Sequence, residues 1–246
     1  MAQPIRFKAT VKEVKRHGPD VASLRLYSEK RLPRFIPGQF IHLAIDKYDP
    51  AGFWPESRVF SVANAVEDRR TVNITVSRQG DYTSRILDDL VAGCVVWGKG
   101  PYGDFYIDGD QGLRRSVLIA GGTGITPFCA FMDSALKSGA LPVEEVVLYY
   151  GAGSTDLLIF RELAQRCAAE LAGFSAHYYV ERGAELNQHE ISLGRLDIDS
   201  IAGELGNLDD TAFYLSGPRQ MIEAFKVRLT GTHGITNDRV LIDAWD

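Results

Sequence analysis

Residues 117–127, V-L-I-A-G-G-T-G-I-T-P, constrain this chain more than any other stretch. Four apolar residues in a row read as a buried parallel strand rather than an amphipathic one. Gly121, Gly122 and Gly124 follow at once, and Pro127 stands where the first turn of a helix begins. Phe128, Phe131, Met132 and Leu136 then recur at helical spacing. A strand that breaks into glycines and restarts as a helix aims backbone N–H groups and a helix dipole at one spot, which suits a phosphate. The run is neither G-x-G-x-x-G nor a G-K-[ST] loop, so a tight βα turn that needs glycine for its angles alone is the competing reading.

The chain changes character ahead of this stretch. Short strands are predicted at 5–14, 21–27, 39–45, 58–63, 72–76 and 95–97, with a short helix at 83–90. Turns fall at His17-Gly18-Pro19-Asp20 and Pro37-Gly38, and 46–56 reads as a loop. That spacing predicts a small antiparallel barrel. After Gly109-Asp110-Gln111-Gly112 strands alternate with helices: strands at 117–120, 146–150, 176–180, 212–215 and 240–242, helices at 127–137, 157–171 and 218–229. Alternation of this kind predicts a parallel sheet with crossovers. The boundary falls near 108–113, giving domains 1–108 and 113–246.

Residues 1–108 carry 16 Lys/Arg and 13 Asp/Glu and the remainder 11 and 19, so the parts are +3 and −8. Basic residues concentrate before Gly38, which fits a solvated barrel exterior or a steering surface for an acidic partner. Nucleic acid is excluded as a partner, because aromatics are not interleaved with these charges and the chain is acidic overall. No run approaches the length of a membrane span, and the first residues lack an apolar signal region. Cys94, Cys129 and Cys167 are too far apart for a zinc or iron–sulfur set and read as buried thiols of a reducing cytoplasm. The five histidines show no metal-ligand spacing, and no G-x-S-x-G or Ser/His/Asp arrangement occurs.

In R-V-F-S, Arg58 and Phe60 take one face of a strand while Val59 and Ser61 take the other. An arginine fork beside a planar ring can hold a phosphate next to a ring system. Set in order, the motifs F-x-P-G-Q-F (35–40), R-V-F-S (58–61), G-D-Y-T-S-R-I-L (80–87), G-P-Y-G-D-F-Y-I (100–107), G-G-T-G-I-T-P (121–127), Y-Y-G-A (149–152) and S-G-P-R-Q-M (216–221) resemble the ferredoxin–NADP reductase family of flavoproteins. The resemblance covers nearly the whole chain. It implies an antiparallel FAD-binding β-barrel followed by a parallel-sheet, Rossmann-like NAD(P)-binding domain, without an iron–sulfur domain.

The resemblance also implies roles. Arg58 binds the FAD pyrophosphate, Phe60 packs on the flavin in place of the usual Tyr, and Ser61 hydrogen-bonds flavin N5, with Val59 between them. Ile74, Thr75 and Val76 offer backbone to the flavin. Gly80, Tyr82 and Thr83, with Ser84 as an alternative to Thr83, lie at a helix start over the pyrophosphate, Thr83 as the N-cap. Gly122, Thr123, Gly124, Thr126 and Pro127 take the NAD(P)H pyrophosphate, Thr123 and Thr126 adding hydroxyls. Ser216 stands beside the nicotinamide where the family has a cysteine, followed by Gly217, Pro218 and Met221. Ser61 and Ser216 are the candidate catalytic residues, and Trp245 the aromatic that covers FAD. Arg182 and Arg195 would meet a 2′-phosphate and lean the choice of NADPH or NADH toward NADPH. Gly153, where such enzymes carry a further arginine, and the flanking Glu181 and Glu185 weigh against it. The expected activity is hydride transfer from NAD(P)H to FAD, then electrons to a separate acceptor: ferredoxin, flavodoxin or an oxygenase component. A non-turnover electron-transfer subunit or sensor is the alternative.

Overall fold

A computed structural model describes residues 3–107, 112–183 and 191–243. The chain divides into two compact units, Met1–Tyr106 with Thr126–Phe131, and Ile107–Ile125 with Met132–Asp246.

In the first unit the strands are β1 (Ile5–Arg16), β2 (Val21–Tyr27), β3 (Phe40–Ala44), β4 (Arg58–Ser61), β5 (Thr71–Ser77) and β6 (Val95–Tyr102), with helix α1 (Asp81–Asp89) between the last two. Their order is β4-β3-β6-β1-β2-β5, every pairing antiparallel. A Val62–Ile74 bridge and the Ala63 N–H donating to the Asn73 carbonyl bring the two edge strands together, so the barrel is nearly closed. Along β1, Phe7, Ala9 and Val11 are buried while Arg6, Lys8 and Lys12 are exposed, the period-2 pattern of a wall with one wet face. Phe7, Leu24, Ile41, Phe60, Ile74 and Val96 belong to the shared interior.

β6 runs five residues past the expected end at Trp97. Gly98 and Gly100 lie inside the strand, where neighbours press on them. A Cβ on Gly98 would sit 2.1 Å from the Phe7 ring, and one on Gly100 2.9 Å from Ile41 Cγ2. Cys94 is half-buried rather than buried, unlike Cys129 and Cys167.

The second sheet holds β7 (Arg115–Gly121), β8 (Glu145–Ser154), β9 (Phe174–Arg182), β10 (Ile191–Leu193), β11 (Thr211–Ser216) and β12 (Val240–Asp243). All pairings are parallel, in the order β10-β9-β8-β7-β11-β12. The crossovers carry α2 (Thr126–Ser138), α3 (Arg161–Glu170), α4 (Ile198–Leu205) and α5 (Arg219–Gly231). Residues 117–120 of β7 are all buried, as a strand covered on both faces requires. α3 begins four residues later than expected, behind a 3₁₀ turn at Thr155–Leu157, because Phe160 adopts a left-handed φ of 61° that a continuous helix cannot contain. β10 and α4 were not anticipated. Among the described residues no helix is long and apolar enough to cross a membrane.

Candidate cofactor sites

In the barrel unit, the start of α1 and the head of β4 meet through Tyr82. Its hydroxyl donates to the Leu43 carbonyl (2.8 Å), with that of Glu56 also within reach at 3.2 Å, and accepts from the Ile45 N–H (3.2 Å). Burial pushes that phenol up to about 12. Tyr82 is therefore a buried strut rather than a hydroxyl offered to a ligand. Its ring carries the Arg58 guanidinium at 4.8 Å, which holds a cation over the first turn of α1. Arg58 is ion-paired to Glu56 at 2.7 Å, and both are exposed.

The helix begins two residues earlier than expected, so Gly80 and not Thr83 is the N-cap. Thr83 Oγ1 reaches back and accepts from the N–H groups of Gln79 (2.8 Å) and Gly80 (3.2 Å). The Ser84 N–H is spent on the Gly80 carbonyl. A Cβ on Gly80 would meet nothing within 4 Å, so the turn opens on free space, with Tyr82 of the same helix start carrying the Arg58 guanidinium on its ring. A pyrophosphate fits that arrangement.

Cross-strand pairing sets Phe60 opposite Ile41 on the inner face of the barrel, and Ser61 opposite Phe40 on the outer face. Phe60 is part of the interior, and Ser61 is buried as well. Ile74 and Val76 point into the core, and the Thr75 hydroxyl meets Ser23 Oγ at 3.2 Å, so residues 74–76 have chiefly backbone to offer a ligand.

In the second unit, β7 and β11 adjoin where the strand order reverses, which is where dinucleotides bind in such sheets. Ser216 pairs with Ala120 at their carboxyl ends. The two βα turns that follow are interlocked. A Cβ on Gly124 would lie 2.3 Å from the Ser216 carbonyl oxygen, and one on Gly217 2.9 Å from the Gly121 nitrogen. Gly122 differs from both: its φ of 55° is left-handed and a Cβ there would meet nothing within 4 Å. The glycine turn thus has two duties, Gly124 and Gly217 locking the turns and Gly122 leaving an open floor that fits a pyrophosphate. Thr123 stays partly exposed, whereas Thr126 and Pro127, which group with the first unit, are buried.

Ser216 is buried and its hydroxyl donates 3.1 Å to Oδ2 of Asp243, at the end of β12. Asp243 went unnoticed in the sequence because nothing local marks a strand-end acid as facing another strand's end. Pro218 is exposed and Met221 half-buried, its Sδ 3.0 Å from where a Gly121 Cβ would be. Arg195 pairs with Glu181 at 3.0 Å, and Arg182 is exposed at the end of β9. Trp245 and Glu185 lie outside the described residues.

A nearly closed antiparallel barrel with an arginine over a helix start, followed by a parallel sheet with an open glycine turn, defines an FAD/NAD-binding oxidoreductase architecture. Residues 118–226 match the family model of the oxidoreductase NAD-binding domain. The chain is 27% identical over 216 residues to the ferredoxin–NAD(+) reductase component of the alkene monooxygenase system of Xanthobacter autotrophicus, covering 85% of this chain and 61% of that protein. It is 27% identical over 240 residues to the ferredoxin–NAD(P)(+) reductase component of the naphthalene 1,2-dioxygenase system of Pseudomonas putida, covering 97% and 68%. Against the crystal structure of the Amycolatopsis cytochrome P450 reductase GcoB the TM-score is 0.81 at 25% identity, over 99% of this chain and 70% of that one. A flavohemoprotein of Rhizobium meliloti is 25% identical over 84% of this chain, which spans 51% of its length. Residues 118–226 thus match an oxidoreductase NAD-binding domain, and the chain is similar over most of its length to ferredoxin reductase-like FAD/NAD-binding proteins.

Proposed function

We propose that the protein is a reductase that takes hydride from NAD(P)H onto FAD and passes electrons to a separate redox protein. One observation carries this reading: a single chain holds two open, anion-fitting turns, one at Gly80, where Arg58 stands over the ring of Tyr82 two residues on, and one at Gly122. When bound, the two groups supply hydride transfer from nicotinamide to flavin and the onward release of electrons. The chain's own contribution is to bind and orient. Arg58 and the first turn of α1 take one pyrophosphate, with Glu56 giving up the guanidinium. The floor at Gly122 takes the other. Ser61 and Ser216 present buried hydroxyls at their strand ends, Ser216 with its proton directed to Asp243.

The outer wall of β3, β6 and β1 suits an acidic acceptor. Register places Lys99 between His42 and Arg6, and Trp97 between Ala44 and Lys8. Phe40 stacks on Tyr102 at 5.7 Å, and Lys99 Nζ lies 5.6 Å from the Tyr102 ring. Cations set among part-exposed rings, on the strand next to Ser61, combine steering with a contact surface. The relatives named as reductase components of oxygenase systems favour a ferredoxin or an oxygenase component as that acceptor over a flavodoxin. The test is an anaerobic absorbance titration with each nucleotide. A yellow protein bleached near stoichiometrically is expected. A preparation that takes up no FAD, or one that neither nucleotide reduces, would overturn the reading.

A further inference from the structure

We infer that the protein pairs with a second copy of itself along the outward face of α5, the two helices lying parallel and side by side. This goes beyond the reductase reading and does not depend on it.

α5 carries two stripes. Ile222, Phe225 and Leu229 are buried and hold the helix on its own sheet. On the opposite side Gln220, Ala224, Val227 and Gly231 are all exposed. They recur at intervals of four, three and four, the seam spacing of a helix that faces another helix. Val227 is 68% exposed, more than any other large apolar side chain among the described residues except Phe53. A β-branched residue inside a helix costs propensity, and this one does nothing for the core. Around it lies a shallow groove of about 510 Å³, lined by Gln220, Glu223, Ala224, Val227 and Arg228.

The charges at the groove's edges say what fits it. Glu223 stands on one flank of the exposed stripe and Arg228 on the other, five residues further on. When a two-fold axis runs along two parallel helices, a residue on one flank meets the residue five further on in the other copy. Glu223 then faces Arg228 of the second copy, and symmetry makes that pair twice. An antiparallel arrangement sets each charge near its own copy instead and is repelled. Within the chain Glu223 Oε1 accepts from Arg219 at 2.7 Å, and Arg228 is ion-paired to Asp199. Across the groove four charges therefore alternate in sign, Asp199 and Arg228 of one copy with Glu223 and Arg219 of the other. Such a network sets the orientation, while the apolar floor drives association. A contact one 13-residue helix long, about 20 Å, lies at the small end of specific interfaces, so the Kd is expected to be on the order of 10 µM.

The test is sedimentation velocity on the whole protein, across about a hundredfold range of concentration around that Kd. A reversible dimer is expected. Glu223→Lys and Arg228→Glu, each checked for an unchanged melting temperature, should each weaken self-association at least about tenfold, because like charges then face one another. An equimolar mixture of the two variants should restore the dimer, since each offers the charge that the other lacks. Val227→Asp should leave only monomer, and it decides alone if Arg228→Glu unsettles the fold through its lost Asp199 pair. A monomer at every concentration, variants that associate like the unaltered protein, or a mixture that stays monomeric would overturn the inference. Monomers whose electron transfer to a redox protein is slowed by Val227→Asp would also overturn it, and assign the groove to that acceptor.

Discussion

Ser216 Oγ donates a 3.1 Å hydrogen bond to Asp243 Oδ2, and both residues are buried, at 2% and 7% exposure. The bond joins the carboxyl end of β11 to that of β12 and fixes where the hydroxyl proton points. A buried bond to a carboxylate contributes roughly 1.5–3 kcal/mol, and removing one partner exposes the other to the full cost of burial. Ser216→Ala is expected to lower the melting temperature and to slow flavin reduction by about tenfold while leaving ADP-ribose affinity unchanged. Stopped-flow reduction beside calorimetry separates the two effects. Unchanged reduction would remove Ser216 from the reacting end.

Arg58 should decide flavin retention. Arg58→Ala removes a cation poised 4.8 Å above the Tyr82 ring and is expected to weaken FAD binding by roughly 1.5–3 kcal/mol, about 10- to 150-fold. Glu56→Gln releases that guanidinium from its 2.7 Å ion pair and should tighten FAD slightly. Quenching of flavin fluorescence on reconstitution reads both, and equal affinities in all three proteins would discard the pyrophosphate role.

The glycines of the second turn predict opposite signatures. Gly124→Ala forces a methyl to 2.3 Å from a backbone carbonyl and should cost about 1–3 kcal/mol of stability. Gly122→Ala meets open space, so its cost is the left-handed φ alone, about 1 kcal/mol, and its main effect should be on nucleotide affinity. Thermal unfolding set against ADP-ribose titration tells them apart.

Two histidines predict acid sensitivity. Burial first, then Lys99, lowers His42 from 6.5; burial first, then Lys15, lowers His17. The unfolded chain therefore binds protons that the folded chain refuses, so stability is complete above pH 6.5 and declines as pH falls below it. His42→Gln should flatten that decline in urea-midpoint measurements between pH 5 and 7. A steeper decline would contradict the sign.

Lys8→Glu and Lys99→Glu are expected to slow electron transfer to an acidic acceptor, by roughly tenfold at low salt and far less in high salt. Flavin reduction by the nucleotide should be unaffected. Loss of both rates together would point to a folding defect instead of a docking role.

The elements that proved easiest to read were those whose burial is written in one short window. The alternation of 21–27 and the apolar run at 117–120 became β2 and the middle of β7. The glycines were harder, because a glycine read alone cannot say whether it bends the chain or admits a neighbour. The strand expected to end at Trp97 runs on through Gly98 and Gly100, and Gly124, expected at the pyrophosphate, is also pressed on the Ser216 carbonyl. The α4 helix was not anticipated; its eight residues include Asp199 and Gly203, both weak helix formers. Its cap is nonetheless regular, with the Asp197 side chain accepting from the Asp199 N–H at 3.0 Å. Long-range pairs such as Ser216 with Asp243, or Glu181 with Arg195, left no local trace.

The interlock of Gly124 with the Ser216 carbonyl engages backbone on both sides, while the Ser216 side chain plays no part in it. On the proposed reading, the position at the reacting end is thus mechanically decoupled from the turn offered to the nucleotide. A hydroxyl, a thiol or a methyl exchanged at residue 216 leaves the backbone contact with Gly124 in place. A reductase built this way can have its reactivity retuned one atom at a time without re-tailoring its grip.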